Sequence, residues 1–303
     1  MMRRDRSNLP FDVAVAGLGP AGIAAATELV RYGWRVVAFE CARVGGLACE
    51  ARRVENAPLV GGPCPGDAIV DALRAQLMRF APTIIKQRLH AVTASGGWFR
   101  LTSETGDINT WGAILATGTS PRRLGLSAAG SDWVQYRWTD LRKCASGRVA
   151  VVGGGDLAVD QALSLADAGF TVELLVRSVR LRCNSRLATE AKTRPLIRVR
   201  YEHETVGFRN GTQRFVECRT REGIVCLPVD HVLVSIGRDP QIPPVATVEG
   251  RNIGAKMILD KGIPGLFAAG DVTAGLRRQI AIAYGQGLDA AMCCDEYLRE
   301  EGH

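Results

Sequence analysis

The chain has no C-x-x-C pair among its nine cysteines, which stand at positions 41, 49, 64, 144, 183, 218, 226, 293 and 294. An odd count without a repeating spacing argues against a secreted disulfide framework, so reduced thiols in a cytoplasm are the expectation. The adjacent Cys293 and Cys294 read either as two packing residues of a helix or as a redox site. A run of ~18 uncharged apolar residues, the length that spans a bilayer, is also missing. The N-terminal Met1-Met2-Arg3-Arg4-Asp5-Arg6 followed by apolar residues 13–30 imitates a signal peptide, but Asp12 and Glu28 break the apolar segment. Its glycines have a better explanation as a nucleotide loop, and no membrane association is expected. No zinc-finger, basic-zipper or aromatic RNA-binding signature occurs, and the basic residues are scattered apart from Arg177, Arg180 and Arg182, so nucleic-acid binding is not expected.

What is present suits an α/β protein. The 303 residues allow about two domains at ~150 residues each. An apolar content of 47% with 34 glycines permits sizeable cores joined by tight turns. The formal net charge of +7 favours acidic partners such as nucleotides, phosphates or acidic redox proteins.

One unit occurs twice. Asp12-Val13-Ala14-Val15-Ala16 reads as a short buried strand, then Gly17-Leu18-Gly19-Pro20-Ala21-Gly22 leads into an alanine-rich helix closed by Gly33. A second strand, residues 35–39, ends at Glu40. The same order returns at Arg148-Val149-Ala150-Val151-Val152, Gly153-Gly154-Gly155-Asp156-Leu157-Ala158, a helix capped by Gly169, and the strand at 171–176. Strand, glycine loop, helix and strand form a βαβ crossover, so parallel sheets are expected. Further buried strands stop at Gly118, Gly237 and Gly270, a helix at about 279–297 ends the fold, and no low-complexity linker is visible.

In this context the glycines have distinct tasks. Gly17 permits the tight turn, Gly19 lets the backbone approach a pyrophosphate, and Gly22 lets helix and strand pack closely. The helix N-terminus presents free N–H groups to phosphate, and Glu40 can accept hydrogen bonds from a ribose. The bland alternative is a glycine-rich structural turn. The second loop ends in Ala158, an allowed variant. After its second strand, Arg177, Arg180 and Arg182 either neutralise a 2′-phosphate, which points to NADPH over NADH, or form a solvated basic turn.

Together these motifs resemble the thioredoxin-reductase-type flavoproteins, the low-molecular-weight branch of the pyridine nucleotide-disulfide oxidoreductases. The resemblance rests on Gly17 to Gly22 with Glu40, Gly45-Gly46, Val54-Glu55-Asn56-Ala57-Pro58, Ala116-Thr117-Gly118, and Arg123-Leu124-Gly125-Leu126. It continues through Gly153 to Ala158, Ser235-Ile236-Gly237, Gly265-Leu266-Phe267-Ala268-Ala269-Gly270-Asp271-Val272 and Arg278-Gln279-Ile280, in order over some 270 residues. It implies an α/β fold of two Rossmann-like, three-layer dinucleotide-binding domains. Residues 1–120 and 244–303 would form a discontinuous FAD domain, and 121–243 an NAD(P)H domain.

The resemblance also implies site residues. Gly17, Gly19, Pro20, Ala21, Gly22, Glu40, Gly45, Gly46, Leu47, Asn56, Ala91, Thr117, Gly118, Gly270, Asp271, Arg278, Gln279 and Ile280 would serve FAD. Gly153, Gly155, Asp156, Ala158, Arg177 and Arg182 would serve NADPH or NADH. A homodimer is implied on the same ground.

The pattern breaks where thioredoxin reductases carry a Cys-x-x-Cys-Asp segment. Tyr136 and Thr139 fall on the cysteine positions and Asp140 on the aspartate, so the usual dithiol route is closed. The segment is similar to ferredoxin/flavodoxin–NADP reductases of the thioredoxin-reductase type, which pass electrons directly from FAD. The chain stops soon after its last helix, however, and Cys49 and Glu50 stand where an aromatic residue is usual in those enzymes. Expected acceptors are therefore an acidic redox protein such as ferredoxin or flavodoxin, or a small molecule. Cys49 reads either as a thiol acting on disulfides, with Cys64 as partner, or as a small buried residue. Asp140 reads as a general acid or a helix cap. A non-catalytic FAD-binding sensor is the remaining alternative, motivated by the missing dithiol and by Ser178 in place of a family arginine.

Overall fold

The computed structural model describes residues 9–57, 62–126, 132–144, 146–260, 263–275 and 277–303. The basic N-terminal residues 1–6 and Pro58 of the Val54-to-Pro58 motif lie outside them. The helices are α1 (Pro20–Arg31), α2 (Gly66–Phe80), α3 (Asp156–Asp167), α4 (Ser185–Thr193), α5 (Ala255–Asp260) and α6 (Ile280–Glu300). None is long and apolar enough to cross a membrane.

The chain divides into two compact units. Unit 1 holds residues 1–49, 53–120 and 240–303, and unit 2 holds residues 50–52 and 121–239. In unit 1 five strands form a parallel sheet in the order Leu266–Ala268, Gly112–Leu115, Val13–Ala16, Val36–Phe39, Thr83–Ile85. Side chains alternate across a strand, so Ala14 and Ala16 reach one face together with Val37 and Phe39. There they pack on Val92, Phe99 and Leu101 of a second, largely antiparallel sheet that contains Ala91–Ala94, Phe99–Ser103 and Gly106–Thr110. Burying a ring such as Phe39, 1% exposed, stabilises by roughly 2–3 kcal/mol.

Unit 2 repeats the plan. Its parallel sheet runs Ile197–Tyr201, Thr171–Val176, Arg148–Val152, His231–Val234, Val134–Gln135. Val149 and Val151 face α3 through Val159 and Leu163. Ala150 and Val152 face the antiparallel strands Glu204–Arg209, Arg214–Thr220 and Gly223–Val229 through Phe208, Val216 and Cys218. The tripeptide 50–52 clusters here although the sequence places it in the flavin stretch: Arg137 pairs with the buried Glu50, and Arg52 reaches Asp167 and Glu190 at 2.5 Å each. Both sheets are parallel and carry a helix layer and an antiparallel layer, the three-layer α/β architecture expected.

The first helix of each unit ends in the same way. Gly33 and Gly169 take φ of +91° and +88°. Trp34 N–H donates to Leu29 O, and Phe170 N–H to Leu165 O, which satisfies carbonyls that the helix leaves open.

Candidate dinucleotide sites

In unit 1 the loop between the first strand and α1 is shaped by two contacts only glycine allows. Gly17 has φ +92°, and a Cβ there would lie 2.4 Å from Ala116 O; at Gly22 it would lie 1.8 Å from Gly17 O. Gly19, by contrast, faces open space, and no side chain caps α1. Pro20 at the first helical position gives up an N–H that would have no helical partner anyway. The result is a bare helix N-terminus beside a gap, with Ala21 in the first turn. Glu40, at the end of the neighbouring strand, holds the loop: its Oε2 accepts Leu18 N–H at 2.8 Å, and its Oε1 accepts Ala42 N–H at 2.8 Å. A carboxylate has about four acceptor sites, so two remain for ribose hydroxyls.

The other expected FAD residues are spread over unit 1, some of them against this loop. Gly45 N–H donates to Leu18 O at 2.6 Å, and a Cβ on Gly46 would sit 3.2 Å from Gly19 Cα. Leu47 follows in the short 3-10 turn Gly46–Glu50. Asn56 Nδ2 donates to Gln279 Oε1 at 2.8 Å, joining two residues 223 apart in sequence. Gly118 has φ +64°, and Gln241 N–H donates to its carbonyl. Gly270, at φ +83°, turns the chain into Asp271, and a Cβ on it would come within 2.7 Å of Ala21 Cβ. Thr117 Oγ1 and Arg278 Nε are buried without a hydrogen-bond partner among the described residues. Ile280 opens α6 and packs beside Cys49 and Val70. Ala91 lies in the antiparallel layer, opposite Thr102. An open Gly19, an uncapped helix and two orphaned polar atoms in one unit fit a dinucleotide such as FAD.

Unit 2 builds a second loop on the same principle. Gly153 has φ +146°, and a Cβ there would lie 2.2 Å from Ser235 O and 3.0 Å from Ala158 Cβ. Gly155 faces open space at the uncapped start of α3. Asp156, in the first turn, accepts from Asn184 N–H at 2.9 Å and Asn184 Nδ2 at 3.1 Å. Asn184 in turn caps α4 by accepting Leu187 N–H at 3.0 Å. Arg182 N–H donates to Gly154 O at 2.7 Å, which ties the basic segment to the loop. The side chains of Arg177, Arg180 and Arg182 are exposed, and among the described residues none is paired with a carboxylate.

Asp140 is exposed on the 3-10 turn Trp138–Lys143 of unit 2, and the Arg123 guanidinium lies 5.0 Å over the Tyr136 ring. Cys49 is buried in unit 1 among Ala48, Val70 and Ile280, its Sγ 3.9 Å from Val44 O. Cys64 exchanges main-chain hydrogen bonds with Val54, and neither cysteine is in a disulfide. Cys294 is fully buried in α6; burial pushes its thiol far up, and Cys293 is raised by the same cause, so neither is poised as a nucleophile. Sequence reasoning overlooked Asn184 and also Gln286, whose Oε1 accepts the Gly270 N–H at 2.9 Å. An Asn before a helix is a cap signal that was there to be read. Gln286 carried none, because a polar residue inside an amphipathic helix reads as solvated surface.

Residues 11–287 match the family model described as pyridine nucleotide-disulphide oxidoreductase. A ferredoxin–NADP reductase of Ignicoccus hospitalis is 31% identical over 95% of this chain and 98% of its own. A mitochondrial thioredoxin reductase of Kluyveromyces lactis is 28% identical over 95% of this chain and 89% of its own. Among solved structures, the thioredoxin reductase of Lactococcus lactis superposes with a TM-score of 0.83 at 22% identity, covering 96% of this chain and 99% of that one. The chain therefore belongs to the pyridine nucleotide-disulphide oxidoreductase family, as an FAD-dependent oxidoreductase that takes electrons from NAD(P)H.

Proposed function

We propose that this enzyme passes electrons from NADPH through FAD to an acceptor outside the chain, an acidic carrier of ferredoxin or flavodoxin type or else a small molecule, without a protein dithiol. The observation that carries this reading is that Tyr136 and Thr139 hold the positions ahead of Gly153 where a dithiol would stand. The Ignicoccus relative is named a ferredoxin–NADP reductase. Charge agrees: unit 2 has 20 Lys and Arg against 14 Asp and Glu, whereas unit 1 has 18 against 17. An acidic carrier is steered by such an excess.

FAD, when bound, supplies the acceptance of a hydride from the nicotinamide and its onward release as electrons. The chain supplies position. The amides at the start of α1 hold the diphosphate, Glu40 the ribose, and Asn56 with Gln279 the region of the ring. In unit 2, Gly153 and Gly155 leave room for the second diphosphate, and Arg177 and Arg182 meet a 2′-phosphate. Thr117, Gly118 and Asp271 complete the FAD grip. The homodimer belongs to the same proposal.

The test is an anaerobic titration of the yellow protein with NADPH and NADH, followed by re-oxidation with ferredoxin, flavodoxin, thioredoxin and small quinones. Bleaching by NADPH with re-oxidation by ferredoxin or flavodoxin supports the reading; no bleaching by either nicotinamide overturns it. A second reading, a disulfide oxidoreductase using Cys49, draws on the packing of Cys49 against Ile280. Undiminished turnover of disulfides by Cys49→Ser removes it.

A further inference from the structure

The turn that carries Asp271 is tied both within itself and to α6. Inside it, Thr273 N–H and Ala274 N–H both return to Gly270 O, at 2.9 and 3.2 Å, so that carbonyl is satisfied locally. The N–H of Gly270 points the other way, and Gln286 Oε1 on α6 accepts it at 2.9 Å. The Thr273 hydroxyl adds to the same clasp, 3.2 Å from Gln286 Oε1 and 3.0 Å from Gly270 O. One residue further along α6, Gly287 rests on the first turn of α1: a Cβ there would lie 2.1 Å from Ala21 O. Gly270 closes the triangle against Ala21 Cβ. Two consecutive residues of one helix therefore touch both turns assigned to FAD, Gln286 the Gly270–Asp271 turn and Gly287 the loop of residues 17–22.

We propose that Gln286 is a positioning residue for the cofactor: its side-chain carbonyl fixes the Gly270–Asp271 turn at the distance from the Gly17 loop that a single dinucleotide needs to reach both. This rests on the FAD reading of those two turns. Gln286 does not itself touch the reacting atoms. Without its oxygen, the Gly270 amide turns to water or to its own chain, and Asp271 moves with it.

The experiment compares wild type with Gln286→Leu, which keeps the bulk and removes the acceptor, and Gln286→Glu, which keeps the acceptor. The dissociation constant for FAD is read from flavin fluorescence quenching on reconstitution, and the flavin absorption band from the holoenzyme. The thermal midpoint is measured on flavin-stripped protein. The expected result is about tenfold weaker FAD binding in Gln286→Leu, the loss of one hydrogen bond to a half-buried amide. Binding returns to within about threefold of wild type in Gln286→Glu, and the flavin-stripped midpoint of Gln286→Leu falls by less than about 5 °C. If Gln286→Leu fails to fold, Thr273→Val, at an exposed position, is read in the same assay and weakens binding about two- to threefold. Unchanged FAD affinity in the folded variants, or a loss that Gln286→Glu does not restore, overturns the proposal. A wild-type chain that binds no FAD instead overturns the cofactor reading beneath it.

Discussion

Glu40 accepts the backbone N–H of Leu18 at 2.8 Å, so the side chain assigned to the ribose also holds the loop assigned to the diphosphate. One residue thereby couples two parts of the site. Glu40→Ala removes both contacts and leaves the part-buried Leu18 amide without its acceptor. FAD affinity should fall by about a hundredfold, two charge-assisted hydrogen bonds' worth. Glu40→Gln keeps one acceptor oxygen and should fall about tenfold. Titration of flavin-stripped protein with FAD reads both.

The glycines of the first loop separate folding from binding. At Gly22 a methyl would lie 1.8 Å from Gly17 O, so Gly22→Ala should unseat α1 from its strand and cost several kcal/mol of stability. A Cβ on Gly19 would meet none of the described residues within 4 Å, so Gly19→Ala should fold with an unchanged thermal midpoint. Its methyl projects where the backbone must approach the diphosphate, and flavin content should drop at least tenfold. Calorimetry beside the 450 nm absorbance ratio distinguishes the two.

Arg177 and Arg182 stand exposed beside the second loop, without carboxylate partners among the described residues. Arg177→Ala and Arg182→Ala should each raise KM for NADPH about tenfold and leave KM for NADH within twofold. The NADPH effect should shrink as salt rises, because exposed charges are screened. Equal effects on both nucleotides would show the arginines to be a solvated turn.

Cys218, fully buried on the central antiparallel strand of unit 2, has its thiol pushed up to about 11 by burial, against 9.0 for a free thiol. The unfolded chain therefore loses this proton first. The stability linked to it is whole below pH 9 and drains as pH rises from 9 to 11. Two units correspond to at most about 3 kcal/mol. Replacing Cys218 with Val should flatten that part of the alkaline stability curve in denaturant titrations at pH 8, 9, 10 and 11.

The two βαβ units were legible because their signals are local. The Gly17 and Gly153 turns, and the helix closures at Gly33 and Gly169, are each fixed by residues within a few positions of one another. The antiparallel layers were not legible. Their strands are polar on one side, and Val245 pairs with Val92 across some 150 residues, a neighbourhood that periodicity cannot reveal. Glu50 to Arg52 went astray for a related reason, since its anchors at Arg137, Asp167 and Glu190 all lie far along the chain. In the sites, glycines and the acid at a strand end announced themselves. Gln286 stayed hidden because its meaning depends on an amide 16 residues away.

The seat of Gly287 on Ala21 also limits how the gene can change length. Inserting or deleting one codon between Gln279 and Gly287 would turn the rest of α6 by about 100°. A bulkier neighbour would then swing onto the carbonyl of Ala21, where no side chain fits. The hairpin tips of the antiparallel sheets carry no such constraint, so lineages of this protein should gain and lose residues there while the stretch from 279 to 287 keeps its count.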